Sequence, residues 1–521
     1  MDARPGTAPT TIDDLPLPFL EVQPWDEHNR ELVEHVRPPA WRNPQGTGRY
    51  NLVVIGGGTA GLVTAAGAAR LGARVALIER ELMGGDCLNA GCVPSKTLLR
   101  AAQAVVQVRE ARALGVKVPE RVEVDFAAVM ERVRAVRARL APRDSAHRFQ
   151  ELGVDVFLGN ARFTGRDTVR VGDQTLRFSR ACVATGSRPL APPVFGLATS
   201  GFLTTQSVFS LTSLPGRLAV LGGGASGCEL AQAFARLGAQ VTLLEAGPRL
   251  LAREDPDVAA VVEAALRHDG VDVRLGVRVG RVERRDAERV LTFSDEGQPP
   301  LRVDEVLVCT GRRPNVDDLQ LDAAGVDYDE RGGIRVDDRL RTTNRDIYAA
   351  GDCCTADRFT HVADAMARIV VRNALLFGRE TTRDLAIPWV TFTDPEVAHV
   401  GLTAREAAEQ GLLVQTLRVD LGDLDRPVID ADPSGFLAVH LERGSDRLLG
   451  ATLVGRRAGE ALGELSVAVQ TRLGLSTLGK VIHAYPTRAE AVRRAADVLL
   501  QQRGASIVVR TLLRGLMALR R

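Results

Sequence analysis

The sequence has few lysines, few aromatic residues and few cysteines, and these shortages limit the roles it can have. Only three lysines occur among 67 basic residues, and aromatic residues make up 4% of the chain. Seven cysteines in 521 residues are too few and too scattered for the disulfide framework of a secreted protein. The formal net charge of +2 indicates neither a nucleic-acid partner nor an acidic substrate.

Long apolar runs are also missing. No stretch reaches the roughly 18 apolar residues of a membrane-spanning helix. Residues 1–42 are polar and proline-rich, unlike a signal peptide, and we expect a cytoplasmic protein. We also expect more than one domain, because single hydrophobic cores stop growing near ~250 to 300 residues.

An internal repeat with an offset of 166 positions is the clearest organising feature. Each copy has the pattern of a strand, a glycine-rich turn, a helix and a second strand that ends in a glutamate. The first glycine permits the tight turn, the second lets backbone approach a pyrophosphate, and the third lets the helix pack on the strand. The helix N-terminus attracts the phosphates, and the acid accepts hydrogen bonds from ribose hydroxyls. The glycines and acids are Gly56, Gly58, Gly61 and Glu79 in the first copy and Gly222, Gly224, Gly227 and Glu245 in the second.

Two cysteines, Cys87 and Cys92, follow directly after the first copy of the repeat. A reactive cysteine must be a thiolate, and nearby positive charge or a helix N-terminus lowers the thiol pKa enough to supply one. Lys96 provides such a charge four positions after Cys92, and Pro94 suits the first turn of a helix. Of the seven cysteines, only Cys87 and Cys92 have the spacing and surroundings that we expect of a redox-active pair.

The run from Gly84 to Lys96 resembles the redox-active segment of the class I pyridine nucleotide-disulfide oxidoreductases, which include dihydrolipoyl dehydrogenase, glutathione reductase and mercuric reductase. The resemblance extends from about Tyr50 to Glu490. It implies that the two sulfurs form a disulfide beside a flavin, with Cys87 as the outer, interchange thiol and Cys92 as the inner one. It also implies that Lys96 lies near flavin N5 and pairs with Glu229.

The same resemblance assigns the two cofactors and the domain order. It implies that the first copy of the repeat binds FAD and that the second binds NADH or NADPH. Further family motifs place Thr185, Gly186 and Gly311 on the crossover strands between these domains, and Asp352 at the ribityl chain of FAD. The pattern from about Ile387 resembles the family's dimerisation domain, so we expect a homodimer.

The predicted fold class is therefore α/β, with two Rossmann-like dinucleotide-binding domains and a C-terminal α+β dimerisation domain. The predicted limits are 1–49 for an N-terminal extension without assigned function, 50–195 and 316–385 for the FAD domain, 196–315 for the NAD(P) domain, 386–500 for the dimerisation domain and 501–521 for a basic amphipathic tail.

The second acid, Glu245, favours NADH, because it would repel the 2′-phosphate of NADPH. Arg249 lies four positions further on and would receive that phosphate if its loop folded back. NADPH therefore stays open as an alternative.

The C-terminal motif departs from the common family pattern. Disulfide reductases of the glutathione and lipoamide type carry a histidine base where this chain has Tyr485, and a phenol with a pKa of ~10 is a poor base at neutral pH. Mercuric reductases resemble this chain in having a tyrosine there and a glutamate five positions on, here Glu490. The resemblance implies that Tyr485 and Glu490 act across the dimer.

The sequence does not identify the electron acceptor, because it lacks cysteines that are typical of the mercuric branch. The mercuric branch normally has a vicinal cysteine pair near its C-terminus, but no cysteine follows Cys354, and none precedes Cys87. We therefore expect a metal ion or another acceptor, and we predict no resident metal site. The alternatives are a dihydrolipoyl dehydrogenase-like disulfide reductase and, in another class, a flavin-bound redox sensor or metal-binding protein.

Three features have two interpretations each. Cys353 and Cys354 either fill a turn as small apolar residues or form a second metal or redox site. His483 is either a structural loop residue or a substitute base. Residues 501–521 carry five arginines and no acid, which is typical either of a helix lying on an anionic membrane or of a terminal helix that packs in the dimer.

Overall fold

The structure is a computed structural model that describes residues 22–504, except 121 and 296, and residues 514–520. Within those ranges, none of the helices has both the length and the apolar character needed to span a bilayer. The predicted basic tail has most of its apolar face on residues 505–513, which lie outside the described residues. The first 21 residues of the predicted N-terminal extension also lie outside them.

The helices and strands of the described residues are numbered here in chain order. The α-helices are α1 (Glu27–Val36), α2 (Thr59–Arg70), α3 (Gly85–Asn89), α4 (Cys92–Glu110), α5 (Phe126–Leu140), α6 (Ala146–Glu151), α7 (Leu197–Ser200), α8 (Ala225–Leu237), α9 (Pro256–His268), α10 (Leu321–Ala324), α11 (Thr360–Leu375), α12 (Ala404–Glu409), α13 (Asp425–Ile429), α14 (Ala458–Thr471), α15 (Leu475–Leu478) and α16 (Glu490–Gly504). The strands are β1 (Arg49–Ile55), β2 (Val75–Glu79), β3 (Val154–Leu158), β4 (Ala161–Gly165), β5 (Thr168–Val171), β6 (Gln174–Val183), β7 (Ser187–Pro189), β8 (Arg217–Leu221), β9 (Gln240–Glu245), β10 (Asp272–Leu275), β11 (Val279–Arg285), β12 (Glu288–Phe293), β13 (Leu301–Val303), β14 (Glu305–Val308), β15 (Arg312–Pro314), β16 (Tyr328–Asp329), β17 (Gly333–Ile334), β18 (Ile347–Ala349), β19 (Pro388–Thr391), β20 (Glu396–Gly401), β21 (Val414–Asp420), β22 (Phe436–Glu442) and β23 (Leu448–Gly455).

The first copy of the repeat lies in a seven-stranded sheet with the order β3-β2-β1-β6-β5-β4, and β18 also pairs with β6. β1 runs parallel to β2 and β6. Every residue of β2 is buried, as expected for a central parallel strand that is covered on both faces. Helix α11 packs against α2 beside this sheet.

The second copy lies in a parallel four-stranded sheet with the order β10-β9-β8-β14. Its pairing repeats that of the first copy: Leu52 pairs with Val75 in one sheet, and Leu218 pairs with Val241 in the other. Both pairs are related by the offset of 166 positions. The structure thus confirms two Rossmann-like units in matched register.

The glycines of each turn are needed for close packing. In the first copy, a Cβ atom on Gly61 would lie 1.8 Å from the carbonyl oxygen of Gly56, and in the second, one on Gly227 would lie 1.9 Å from that of Gly222. Gly56 and Gly222 adopt φ angles of +110° and +106°, which favour glycine. The tight turn therefore forms in the same way in both copies.

The crossover segments between the two sheets pair with each other. β7 and β15 are antiparallel. The Thr185 hydroxyl donates to the Asn315 carbonyl at 2.6 Å, and the Asn315 side-chain amide donates to the Thr185 carbonyl at 2.9 Å. The chain thus enters and leaves the second sheet through one braced pair of segments.

The C-terminal residues form a separate compact unit with residues 110–117 and 247–269. Its five-stranded antiparallel sheet has the order β19-β20-β23-β22-β21. Helices α14 and α16 pack on this sheet and share a buried apolar core with it. This α+β unit and the two Rossmann-like units confirm the predicted fold class.

The described part of the N-terminal extension packs against the first sheet. The Trp41 indole donates to the Val156 carbonyl at 3.2 Å. The Asn43 side-chain amide donates to the carbonyl of Leu158 at 3.1 Å and accepts from its N–H at 2.8 Å. Because Val156 and Leu158 belong to β3, the outer strand, the extension satisfies backbone groups at the edge of the sheet.

Substitution by alanine should affect stability differently at Gly227 and at Gly224, two glycines of the second turn. Gly227→Ala should lower the free energy of unfolding by about 1–3 kcal/mol, because the added methyl overlaps a backbone carbonyl. Gly224→Ala is the matched control, since a Cβ there has no neighbour within 4 Å and its φ is −74°. Urea unfolding followed by circular dichroism would measure both, and equal losses would contradict this account of the turn.

Candidate active site

The redox segment begins where two glycine backbones touch. Gly84 and Gly85 have φ angles of +86° and +56°, so the chain turns sharply into α3. A Cβ atom on Gly85 would lie 2.6 Å from the Cα atom of Gly58 in the first glycine turn. The segment that carries the cysteines is therefore held directly against the predicted pyrophosphate site.

Cys87 lies in α3, and Cys92 is the first residue of α4. Both are unbridged, and the Cys92 sulfur lies 3.2 Å from the hydroxyl of Thr360, the first residue of α11. A hydrogen bond from Cys87, together with contact to Thr360 and the charge of Lys96, lowers the pKa of Cys92 to about 6. The hydrogen bond to Cys92 and burial raise the pKa of Cys87. In the dithiol, Cys92 is thus the thiolate.

The two predicted partners on different copies of the repeat form an ion pair. Lys96 Nζ lies 2.7 Å from Glu229 Oε2, and the Glu229 side chain is buried on α8. A buried carboxylate is costly unless a cation pairs with it. This pair therefore links the redox helix α4 to the second Rossmann-like unit.

Glu79 and Glu245, the acids that end the second strand of each copy, each accept a hydrogen bond from the glycine turn of the same copy. The Gly57 N–H donates to Glu79 Oε2 at 2.5 Å, and the Gly223 N–H donates to Glu245 Oε2 at 2.6 Å. Burial raises the pKa of Glu79. Helices α2 and α8 both begin without a side-chain cap, which leaves a turn suited to a phosphate at each helix start. Both turns fit a dinucleotide.

Asp352 is surrounded by residues that the motifs did not indicate. Its Oδ2 accepts a hydrogen bond from Ser187 Oγ at 2.6 Å. The Arg312 guanidinium donates to the same hydroxyl at 2.7 Å and lies 3.3 Å from Asp86, the residue before Cys87. Arg312 follows Gly311 and Ser187 follows Gly186. Their positions directly after the crossover motifs were the only indication in the sequence that they belong to the site.

In the C-terminal unit, Tyr485 and Glu490 each have a different partner. The Tyr485 hydroxyl donates to Asp425 Oδ2 at 2.6 Å, and this hydrogen bond raises the pKa of the phenol further. The Glu490 carboxylate accepts from Arg493 at 3.1 Å at the start of α16. Nothing in the sequence near Tyr485 indicated Asp425, which lies 60 positions earlier.

The other candidates are held in structural contacts. His483 Nε2 lies 3.0 Å from Glu464. Cys353 is buried, and its thiol donates to the carbonyls of Val183 and Ala350 at 3.4 Å. Over the described ranges, no group of three or more His, Cys, Asp or Glu side chains is arranged to hold a metal ion.

Known proteins match most of the chain. The family described as "Pyridine nucleotide-disulphide oxidoreductase" matches residues 50–368, and its dimerisation domain matches residues 387–496. Mercuric reductase of Lysinibacillus sphaericus is 35% identical over 86% of this chain and 82% of its own length. Dihydrolipoyl dehydrogenase of Thermus scotoductus is 34% identical over 87% and 98%. The Cu(II) complex of the HOCl-induced flavoprotein disulfide reductase RclA from Escherichia coli has a TM-score of 0.77 and 31% identity, covering 85% of this chain and 98% of that one.

The cysteine geometry predicts how Cys92 titrates. In the reduced protein, alkylation of Cys92 by iodoacetamide should rise with a midpoint near pH 6. Cys87→Ala should raise this midpoint most, because it removes a hydrogen-bond donor to the thiolate, and Lys96→Met should raise it less. Lys117→Met is the matched control, since Lys117 is exposed and far from Cys92 in the sequence. Mass spectrometry of the Cys92 peptide gives the rates, and an unshifted midpoint in Cys87→Ala would refute the assignment.

Proposed function

This chain belongs to the pyridine nucleotide-disulphide oxidoreductases, and on that basis we propose that it oxidises NADH and reduces a soft metal ion held by Cys87 and Cys92. The family uses FAD and NAD(P)H. When bound, FAD passes electrons from the nicotinamide to the cysteine pair. Mercuric and cupric ions are the candidate substrates, because relatives of this chain are mercuric reductases and a related structure is a Cu(II) complex.

The observation that carries this proposal is the hydrogen bond between Tyr485 and Asp425. A phenol is already protonated at neutral pH, and this hydrogen bond raises its pKa further, so Tyr485 is a poor base for deprotonating a thiol. A metal ion bound by two thiolates accepts electrons without a general acid or base. Tyr485 is 70% exposed, so in the proposed function its hydroxyl exchanges Asp425 for the metal ion, or the side chain forms a wall of the partner subunit's site.

The cysteine pair has the chemistry that such an ion requires. Soft thiolate ligands select soft metal ions. Cys92 is ionised near neutral pH, and the ammonium of Lys96 lies four positions further along α4. We propose that Cys87 exchanges the ion with solvent while Cys92 stays in contact with the flavin.

A second candidate function is the reduction of a disulfide such as lipoamide. It is favoured by the relative from Thermus scotoductus, a dihydrolipoyl dehydrogenase that this chain covers over 98% of its length. The tyrosine at position 485 argues against it, since histidine is the better matched acid-base group at neutral pH.

NADH is the proposed electron donor. Glu245 lies at the end of β9, where its carboxylate would repel a 2′-phosphate. The alternative phosphate ligand, Arg249, donates instead to the backbone carbonyls of Ala252 at 2.9 Å and Glu254 at 3.3 Å.

The match to the dimerisation domain supports a homodimer. In that dimer, we propose that Tyr485 and Glu490 of one subunit complete the site of the other. We also propose a cytoplasmic location, because the seven cysteines are too few and too scattered for the disulfide framework of a secreted protein. Contact of residues 501–521 with a membrane surface is a further proposal, supported by their arginine content.

A screen of acceptors tests the function directly. The protein should oxidise NADH faster with mercuric or cupric ion than with lipoamide, glutathione disulfide or quinones. Tyr485→Phe should weaken the metal-dependent rate, and Tyr328→Phe is the control tyrosine. Tyr485→His should confer little disulfide activity, whereas a reaction limited by a missing base would gain ~10²- to 10⁴-fold. Substantial lipoamide reduction by the unmodified protein would overturn the proposal, and slow turnover with every acceptor would favour a sensor.

The donor preference is tested by kcat/KM. NADH should be preferred over NADPH by about tenfold or more, equivalent to roughly 1.4 kcal/mol of transition-state binding. Glu245→Arg should erase or reverse the preference, because it replaces repulsion of the 2′-phosphate with attraction. Arg249→Ala should leave NADPH use unchanged, and a large loss there would identify Arg249 as a phosphate ligand instead.

A further inference from the structure

The described part of the N-terminal extension precedes both family matches, yet it is packed into the protein. The family matches begin at residue 50. Helix α1 precedes that residue, packs against α5 and has Leu32 and Val36 completely buried. We call residues 26–43 the N-terminal strap.

Polar anchors fix the strap in one position. The Arg134 side chain, only 9% exposed, donates to Asp26 Oδ2 at 2.5 Å. Arg137 donates to the buried Asn29 side chain at 3.3 Å. Both arginines lie on α5, and buried arginines are costly without such partners. The strap therefore has a defined register along α5.

The end of α1 binds the loop of residues 80–84. Arg37 Nη1 donates to the carbonyls of Arg80 and Glu81 at 2.7 and 2.6 Å. The Met83 N–H donates to the Val36 carbonyl at 3.1 Å. Three hydrogen bonds thus attach this loop to the strap.

The opposite side of the same loop belongs to the proposed FAD site. The Gly84 N–H donates to the Gly57 carbonyl at 2.8 Å, and the Glu81 N–H donates to Glu79 Oε1 at 2.6 Å. The loop continues directly into α3, which carries Cys87. It is therefore held between the strap on one side and the glycine turn with its ribose acid on the other.

We propose that Arg37 is a positioning residue for FAD, holding the loop of residues 80–84 so that Glu79 faces the adenosine ribose and α3 stays against the glycine turn. The inference rests on the proposed FAD site but is independent of the electron acceptor. A strap that contributed only stability would affect folding without a selective effect on FAD.

The test compares three variants of the full chain. Arg37→Met keeps the length of the side chain but removes its donors, and Arg37→Lys restores a charged donor. Trp41→Phe is the matched control, because it removes a strap hydrogen bond to β3 instead of one to the loop. Each flavin-free protein is titrated with FAD by fluorescence, its thermal unfolding is recorded, and hydrogen exchange is measured for residues 80–84.

Arg37→Met should bind FAD about tenfold more weakly or worse, because hydrogen bonds from charged groups are the stronger class. Its amides at residues 80–84 should exchange faster, and Arg37→Lys should recover part of the affinity. Trp41→Phe should lose thermal stability but keep its FAD affinity. Unchanged FAD affinity in Arg37→Met, or equal losses in Arg37→Met and Trp41→Phe, would overturn the inference. Failure of the unmodified protein to bind FAD would overturn the proposed function itself.

Discussion

The contact between the backbones of Gly58 and Gly85 is the constraint on which the candidate site depends. No Cβ atom can be placed on Gly85 without meeting Gly58, so the turn into α3 can form only with glycine there. Once that contact is made, Cys87 follows two residues later and α4 begins at Cys92. Direct backbone contact thus sets how far the reactive sulfurs lie from the first dinucleotide turn.

Charge placement then couples the two copies of the repeat. The chain uses lysine only three times, and one of these lysines pairs with a buried glutamate from the second copy. A compact ammonium presents its charge at a single point, whereas a guanidinium spreads it over a plane. The same ammonium favours the Cys92 thiolate. A single cation therefore serves both the packing of α8 and the ionisation of the sulfur.

The repeat could be predicted from the sequence because its requirements are local: a glycine where a Cβ does not fit, and an acid at a fixed distance. The structure confirms the matched register to the residue. The partners Thr360, Arg312 and Asp425 could not be predicted, because they reach Cys92, Asp86 and Tyr485 through tertiary packing from distant parts of the chain.

The strap was only partly predicted. The sequence indicated only a polar, proline-rich N-terminal extension without an assigned function, and the helix within it was missed. Asp26 caps that helix by accepting from the Asn29 N–H, and Leu32 and Val36 follow at helical spacing. That local signal was present in the sequence. The position of the helix, however, is fixed by contacts to α5, which lies more than a hundred positions further along the chain.

The side-chain amide of Asn43 affects how copies of the protein can associate, because it binds backbone groups at the edge of the first sheet. An outer strand with unpaired N–H and C=O groups is a template on which another chain can add a strand. At Leu158 both groups are already bound to one side chain, and at Val156 the carbonyl is bound to Trp41. The extension therefore protects β3 from intermolecular strand pairing, and a chain shortened to the family core would expose that edge to aggregation.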